Sequence, residues 1–104
     1  MSLYADALSH PVCLVQFGYL SGEGYGALGP GYEWAAGITA EDQARWLAEA
    51  ARLSRESRRV RLLVVWNVDY LSWTDDAPSA GYAMIRPDGS CPACEALGRA
   101  MSQP

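Results

Sequence analysis

At 104 residues the chain amounts to one domain at most, and a composition that is 50% hydrophobic and 19% charged is globular rather than disordered. A formal net charge of −4, with arginine as the sole basic residue type besides His10, argues against nucleic acid and anionic membranes as partners, since both reward a basic face. The longest apolar run, Leu62 to Trp66, is too short to span a bilayer, and the N-terminus lacks the regions of a signal peptide. The expected compartment is therefore the cytoplasm, with a secreted parent left open.

Leu3 to Leu8 reads as a short helical end, closed by Ser9-His10-Pro11. Val12 to Phe17 is a nearly continuous apolar run without clean alternation, which suits a strand buried on both faces of a parallel sheet. The stretch from Gly18 to Gly37 holds seven of the ten glycines, with Tyr19, Tyr25, Tyr32 and Trp34 among them. It is long for a structureless connection, and loops of that length are usually functional or disordered.

The clearest helix begins at Thr39, whose hydroxyl can cap free backbone N–H groups while Asp42 sits where a capping-box acid reaches back. Ala44, Leu47, Ala50, Ala51 and Leu53 give its buried stripe, and Arg55, Arg58 and Arg59 gather at the end that favours positive charge. Val60 to Val68 is the second strand, so strand, helix and strand make a βαβ unit. A polar aromatic loop follows from Asp69 to Ser79, then a short extra strand from Gly81 to Arg86, and a final helix from Pro92 to Met101 capped by Ser90 or Cys91. Two buried parallel strands need neighbours on both outer edges, and only one short extra strand is available. The pattern is that of a single partial α/β domain spanning residues 1–104, a piece cut from a larger sheet.

Val15-Gln16-Phe17-Gly18-Tyr19 resembles the end of the seventh strand in clan A glycoside hydrolases, the retaining cellulase-like and β-xylosidase-like (β/α)8 barrels. There the strand commonly reads Thr-Glu-Phe-Gly followed by Trp or Tyr, with Glu as nucleophile. The similarity continues at Tyr32-Glu33-Trp34-Ala35-Ala36. It resumes at Val65-Trp66-Asn67-Val68-Asp69-Tyr70, like the eighth strand, whose Trp floors the sugar site. It ends with Ala80 to Ser90, similar to the stretch before the last helix in several bacterial members. The resemblance covers about Pro11 to Met101 and implies the seventh and eighth βα units of a TIM barrel, whose active site lies at the carboxyl ends of the strands.

Carried over residue by residue, it puts Gln16 at the nucleophile position and makes Trp66, Asn67, Tyr19, Trp34 and Glu33 substrate-contact candidates. The chain departs from the family twice. An amide at position 16 cannot act as a carboxylate nucleophile, and no segment corresponds to the fourth strand that carries the acid/base residue. Retaining hydrolysis needs two carboxyl groups about 5 Å apart. The expectation is therefore a hydrolase-derived chain, inactive alone, with residual contact to a β-linked carbohydrate. Glu23, Glu33, Asp69, Asp75 and Asp76 are the other acids near the strand ends, and they also read as solvated loop carboxylates.

Two alternatives stand beside this reading. Open sheet edges predict a homo-oligomer, an interaction module that completes its sheet with copies of itself. Cys91-Pro92-Ala93-Cys94 is a Cys-x-x-Cys at a helix start, a spacing that supports dithiol–disulfide exchange and also occurs in purely structural thiols. No metal or other cofactor is expected, because Cys91, Cys94 and one of Cys13 or His10 fall short of a closed tetrahedral set.

Overall fold

A computed structural model describes residues 11–74 and 77–102; the expected helical end at Leu3 to Leu8 lies outside them. Strand β1 (Val12–Phe17) leads through the glycine-rich loop to helix α1 (Ala40–Ser57), then strand β2 (Val60–Val65), a connecting loop and helix α2 (Pro92–Ser102). The strands pair in parallel, Val12 opposite Val60 and Phe17 opposite Val65, with register irregularities on either side of Cys13-Leu14. The pairing is prolonged at both ends, where Val12 N–H donates to the Arg59 carbonyl and Trp66 N–H to that of Phe17, each at 2.8 Å. This is the expected βαβ unit in a small α/β fold.

Helix α1 starts where its capping chemistry says it should. Thr39 Oγ1 accepts from Asp42 N–H, and Asp42 Oδ2 accepts from Thr39 N–H, each at 3.0 Å. The Thr39 backbone N–H is the leading cause that holds the Asp42 carboxyl below its ordinary value, with Arg45 adding to it. At the other end Arg58 takes the left-handed conformation, φ 58°, and closes the helix with its N–H on the Arg55 carbonyl. The buried face runs Ala40, Gln43, Ala44, Leu47, Ala50 and Ser54. Leu53, expected in that stripe, is exposed instead, because the face continues through Ser54, one position and about 100° further round.

Ala44, Leu47, Met84 and Ala93 form the core, with Phe17, Tyr19, Val65, Cys91, Ala96 and Leu97 packed against them. Small residues on α1 and α2 let the two helices lie close on one face of the sheet. Among the described residues the only large apolar side chains sealed almost completely from solvent are Leu20 and Leu47.

Two further expectations need correction. The second strand stops at Val65, since Asn67 turns the chain with φ 74°. Residues 81–86 do not form a short extra strand: Ser79–Tyr82 is a 3-10 turn. Met84 and Ile85 each donate one backbone bond to Asn67 and Val68, but the carbonyls of Gly81 and Ala83 are turned inward to Arg86, so no ladder develops. The glycine-rich stretch, long for a structureless connection, carries local structure. It contains a 3-10 turn at Glu33–Ala35 and buries Leu20 and Ser21. No helix among the described residues is long and apolar enough to cross a membrane.

Candidate functional site

Parallel pairing carries the two strands out on the same side, so the residues that end them meet. Gln16, Phe17 and Gly18 from β1 and Trp66 just after β2 line one concavity of about 370 Å3, together with Tyr82 from the 3-10 turn. Trp66 and Tyr82 meet edge to face at 5.7 Å between ring centres, the geometry their ring quadrupoles favour. Gly18 lies against both, and a Cβ there would make ordinary contact, 3.4 Å from the Tyr82 ring and 3.5 Å from the Trp66 carbonyl. Gln16 is exposed and Trp66 keeps part of its surface in solvent.

Burial, and secondarily Tyr32, holds the Tyr82 hydroxyl above its ordinary pKa, so it stays protonated and able to donate at neutral pH. Among the described residues the lining therefore offers an amide, a phenol and two aromatic surfaces, and contains no carboxylate. It has neither of the two groups on which retaining hydrolysis depends.

The other sequence candidates divide between separate places. The Asn67 side chain is engaged in the turn it makes, donating to the carbonyls of Tyr70 (3.0 Å) and Ser79 (2.6 Å) and accepting from Tyr70 N–H (2.7 Å). Asparagine is one of the few residues that tolerates a left-handed backbone, and these bonds hold it there. Tyr19 lies on the helix side, 5.4 Å from both Phe17 and Trp46 between ring centres. Trp34 stands 62% exposed on the 3-10 turn of the loop. Glu33 lines a different concavity, of about 460 Å3, with Glu23 and Leu28, and its Oε2 accepts from Gly31 N–H at 2.9 Å. Asp69 is exposed, and Asp75 and Asp76 lie outside the described residues.

What holds these loops over the strand ends is a polar hub with no counterpart in the sequence reading. The buried Arg86 guanidinium donates to four carbonyls: Ser21, Glu23 and Ala83 at 3.0 Å and Gly81 at 3.2 Å. It also lies 5.5 Å over the Tyr25 ring, which stacks on Trp73 at 4.7 Å. Burial away from water lowers the pKa of this cation.

Beside it the fully buried Gln43 amide has the carbonyls of Tyr19, Gly81, Tyr82 and Ala83 within 3.1–3.4 Å. Two N–H bonds cannot serve four acceptors fully, so the amide is shared among them. Ser21 completes the hub by donating to the Ile38 carbonyl at 2.7 Å. The signal that could have revealed these residues is weak: Gln43 sits at a core position of an amphipathic helix, and Arg86 precedes a Pro-Asp-Gly turn.

Cys91 and Cys94 form a disulfide at the N-terminus of α2. Among the described residues no group of three or more His, Cys, Asp or Glu side chains is placed to hold a metal ion. No protein-family model, curated protein or solved structure matches the chain, and no family assignment comes from those comparisons.

Proposed function

We propose that the chain corresponds to the seventh and eighth βα units of a glycoside hydrolase-like (β/α)8 barrel and contacts a β-linked carbohydrate without cleaving it. One observation carries this reading: Gln16 and Trp66 meet in a single concavity at the carboxyl ends of neighbouring parallel strands. In such barrels that edge is where sites are built. Trp66 presents an apolar face to the C–H surface of a sugar ring, while the Gln16 amide and the Tyr82 hydroxyl offer donors and acceptors to its hydroxyls. In a parent with glutamate at position 16 that carboxylate would attack the anomeric carbon. Here the amide leaves binding without the covalent step.

The test is a titration of the whole chain with β-linked gluco- and xylo-oligosaccharides, read by tryptophan fluorescence and amide chemical shifts. Binding with a Kd of about 1 mM or weaker is expected, equivalent to about 4 kcal/mol. Shifts should centre on Gln16, Gly18 and Tyr82, and the response should vanish in Trp66→Ala but persist in Trp34→Ala. A flat titration, or one that survives Trp66→Ala, would remove the reading. Gln16→Glu is expected to give no turnover of an aryl β-glycoside in the isolated chain, because the acid/base carboxyl is still missing. Turnover by that single variant would overturn the barrel-fragment argument.

A second reading has its own observation. Val15, Leu62 and Val64 are 64%, 48% and 40% exposed, an apolar row left uncovered on a two-stranded sheet. Self-association that covers this row is the alternative role, and light scattering on the purified chain separates a monomer from a closed oligomer.

A further inference from the structure

We propose that Cys91 and Cys94 form a thiol–disulfide exchange site, with Cys94 as the sulfur that is attacked and Cys91 as the leaving thiolate. The proposal is independent of the sugar-site reading and rests on no residue that lines that concavity. Three observations carry it together. The two cysteines are already joined as a disulfide. Their exposure differs: Cys94 is open to solvent, whereas Cys91 is half-buried and packs against the cluster of Ala44, Leu47, Met84 and Ala93. Their roles in the helix also differ. Cys91 stands immediately before Pro92, the first residue of α2, and its Sγ accepts the Cys94 backbone N–H at 3.2 Å, sharing it with the Cys91 carbonyl at 3.1 Å.

That contact is an N-cap made by sulfur. A helix N-terminus has free N–H donors and the positive end of the dipole, and both favour an anion over a neutral atom. As the disulfide breaks, negative charge develops on the leaving sulfur, and a better-stabilised thiolate leaves faster. At Cys91 the charge would arise on the atom that already receives an N–H. The apolar packing on one side of Cys91 works against the charge, but it also blocks attack there and leaves Cys94 as the accessible sulfur. Pro92 costs the helix nothing, since its missing N–H is one that a first turn leaves unpaired in any case.

The co-reactant is a low-mass monothiol. Its thiolate attacks Cys94 Sγ, the Cys91–Cys94 bond breaks, and the electron pair goes to Cys91 Sγ. A second thiolate then attacks the external sulfur of the mixed disulfide and releases Cys94 as thiolate. Two thiols are oxidised to one disulfide, the protein disulfide is reduced to two thiols, and the protons shed by the attacking thiols are returned to Cys91 and Cys94 through solvent. Because Cys91 keeps its cap as thiolate, α2 does not depend on the disulfide for its first turn.

The experiment is reduction of the oxidised chain by glutathione at pH 7, quenched in acid at early times and mapped by peptide mass. Cys13 is exposed and free, so Cys13→Ser is the cleaner background; in the wild-type chain its adduct is told apart by its own peptide. Glutathione is expected on Cys94, not Cys91. The rate should exceed that of the same chain unfolded in guanidinium by about tenfold, because unfolding removes the cap from the leaving sulfur. An adduct found first on Cys91, or a folded chain reduced no faster than the unfolded one, would overturn the proposal.

Discussion

On the helix side of the sheet Phe17 and Val65 pack against Ala44, Leu47, Met84 and Ala93, and the Gln43–Arg86 hub seals the rim above them. On the other side Val15, Leu62 and Val64 stand in solvent. Both faces carry aliphatic residues of similar size, so hydrophobicity did not choose between them. The difference is that one face has a helix layer whose alanines allow close approach, while the other has nothing among the described residues to meet it. Two strands cannot curl far enough to cover their own second face. Full burial of a valine or leucine side chain is worth about 1.5–3 kcal/mol, so the bare row is a standing drive toward a partner surface.

This contrast can be broken from either side. The largest effect is expected at the hub. Arg86→Ala removes the guanidinium from the Ser21 and Glu23 carbonyls, and one of several donors from those of Gly81 and Ala83, and each buried acceptor left unpaired costs about 1–3 kcal/mol. We predict that this variant loses cooperative thermal unfolding by circular dichroism, and a melting curve like wild type would show the hub to be dispensable. Leu47→Ala, in the middle of the covered face, should cost about 2–5 kcal/mol in a denaturant titration.

Gly81→Ala should follow, at about 1–3 kcal/mol. An added Cβ would press on the Leu20 side chain and lie 2.8 Å from the Ser21 carbonyl, which is backbone and cannot swing away. Thr39→Ala tests the start of α1 and should cost about 1 kcal/mol. The same cap sets a pH dependence. The folded carboxyl of Asp42 is held below its ordinary value of 3.8, so the stability it adds is present above that pH and is lost as the pH falls toward the folded value. Acid titration of the Asp42→Asn variant should lack that component.

The smallest effect belongs to the bare face. Val64→Thr and Leu62→Thr should change the stability of a monomer by less than about 0.5 kcal/mol. If the same substitutions cost several times that, or lower the mass seen by light scattering, the face is covered in solution and the contrast disappears.

Much of the backbone could be read in advance, because its signals are local. The apolar run of β1, the Thr39–Asp42 box and the Leu62–Trp66 run each lie within a few residues, and propensity and capping act at that range. The pairing of Gln16 with Trp66 was also accessible, since a βαβ unit brings the ends of its strands together. Tyr82 was read as part of a strand, and its place in the concavity follows from a turn whose carbonyls are held by Gln43, 38 to 40 positions earlier in sequence, and by Arg86, three to five positions later. Leu53 and Ser54 show the limit of periodicity: a stripe that favours leucine over serine is overruled when the neighbouring layer touches the other position.

By itself, then, the sequence determined the order of strand, helix, strand and helix, the start of α1, and a first strand that carries the Gln16 amide near its end. Tertiary structure alone decided which sheet face is covered, which aromatics share the concavity and where Asn67 and Tyr19 are engaged. It also decided that Arg86, with no carboxylate among its hydrogen-bond partners, is held by backbone carbonyls from both loops. The reason is range. Turns, caps and apolar runs are set by neighbours in the chain, whereas burial and hydrogen-bond partners depend on segments up to 65 residues apart arriving at the same place.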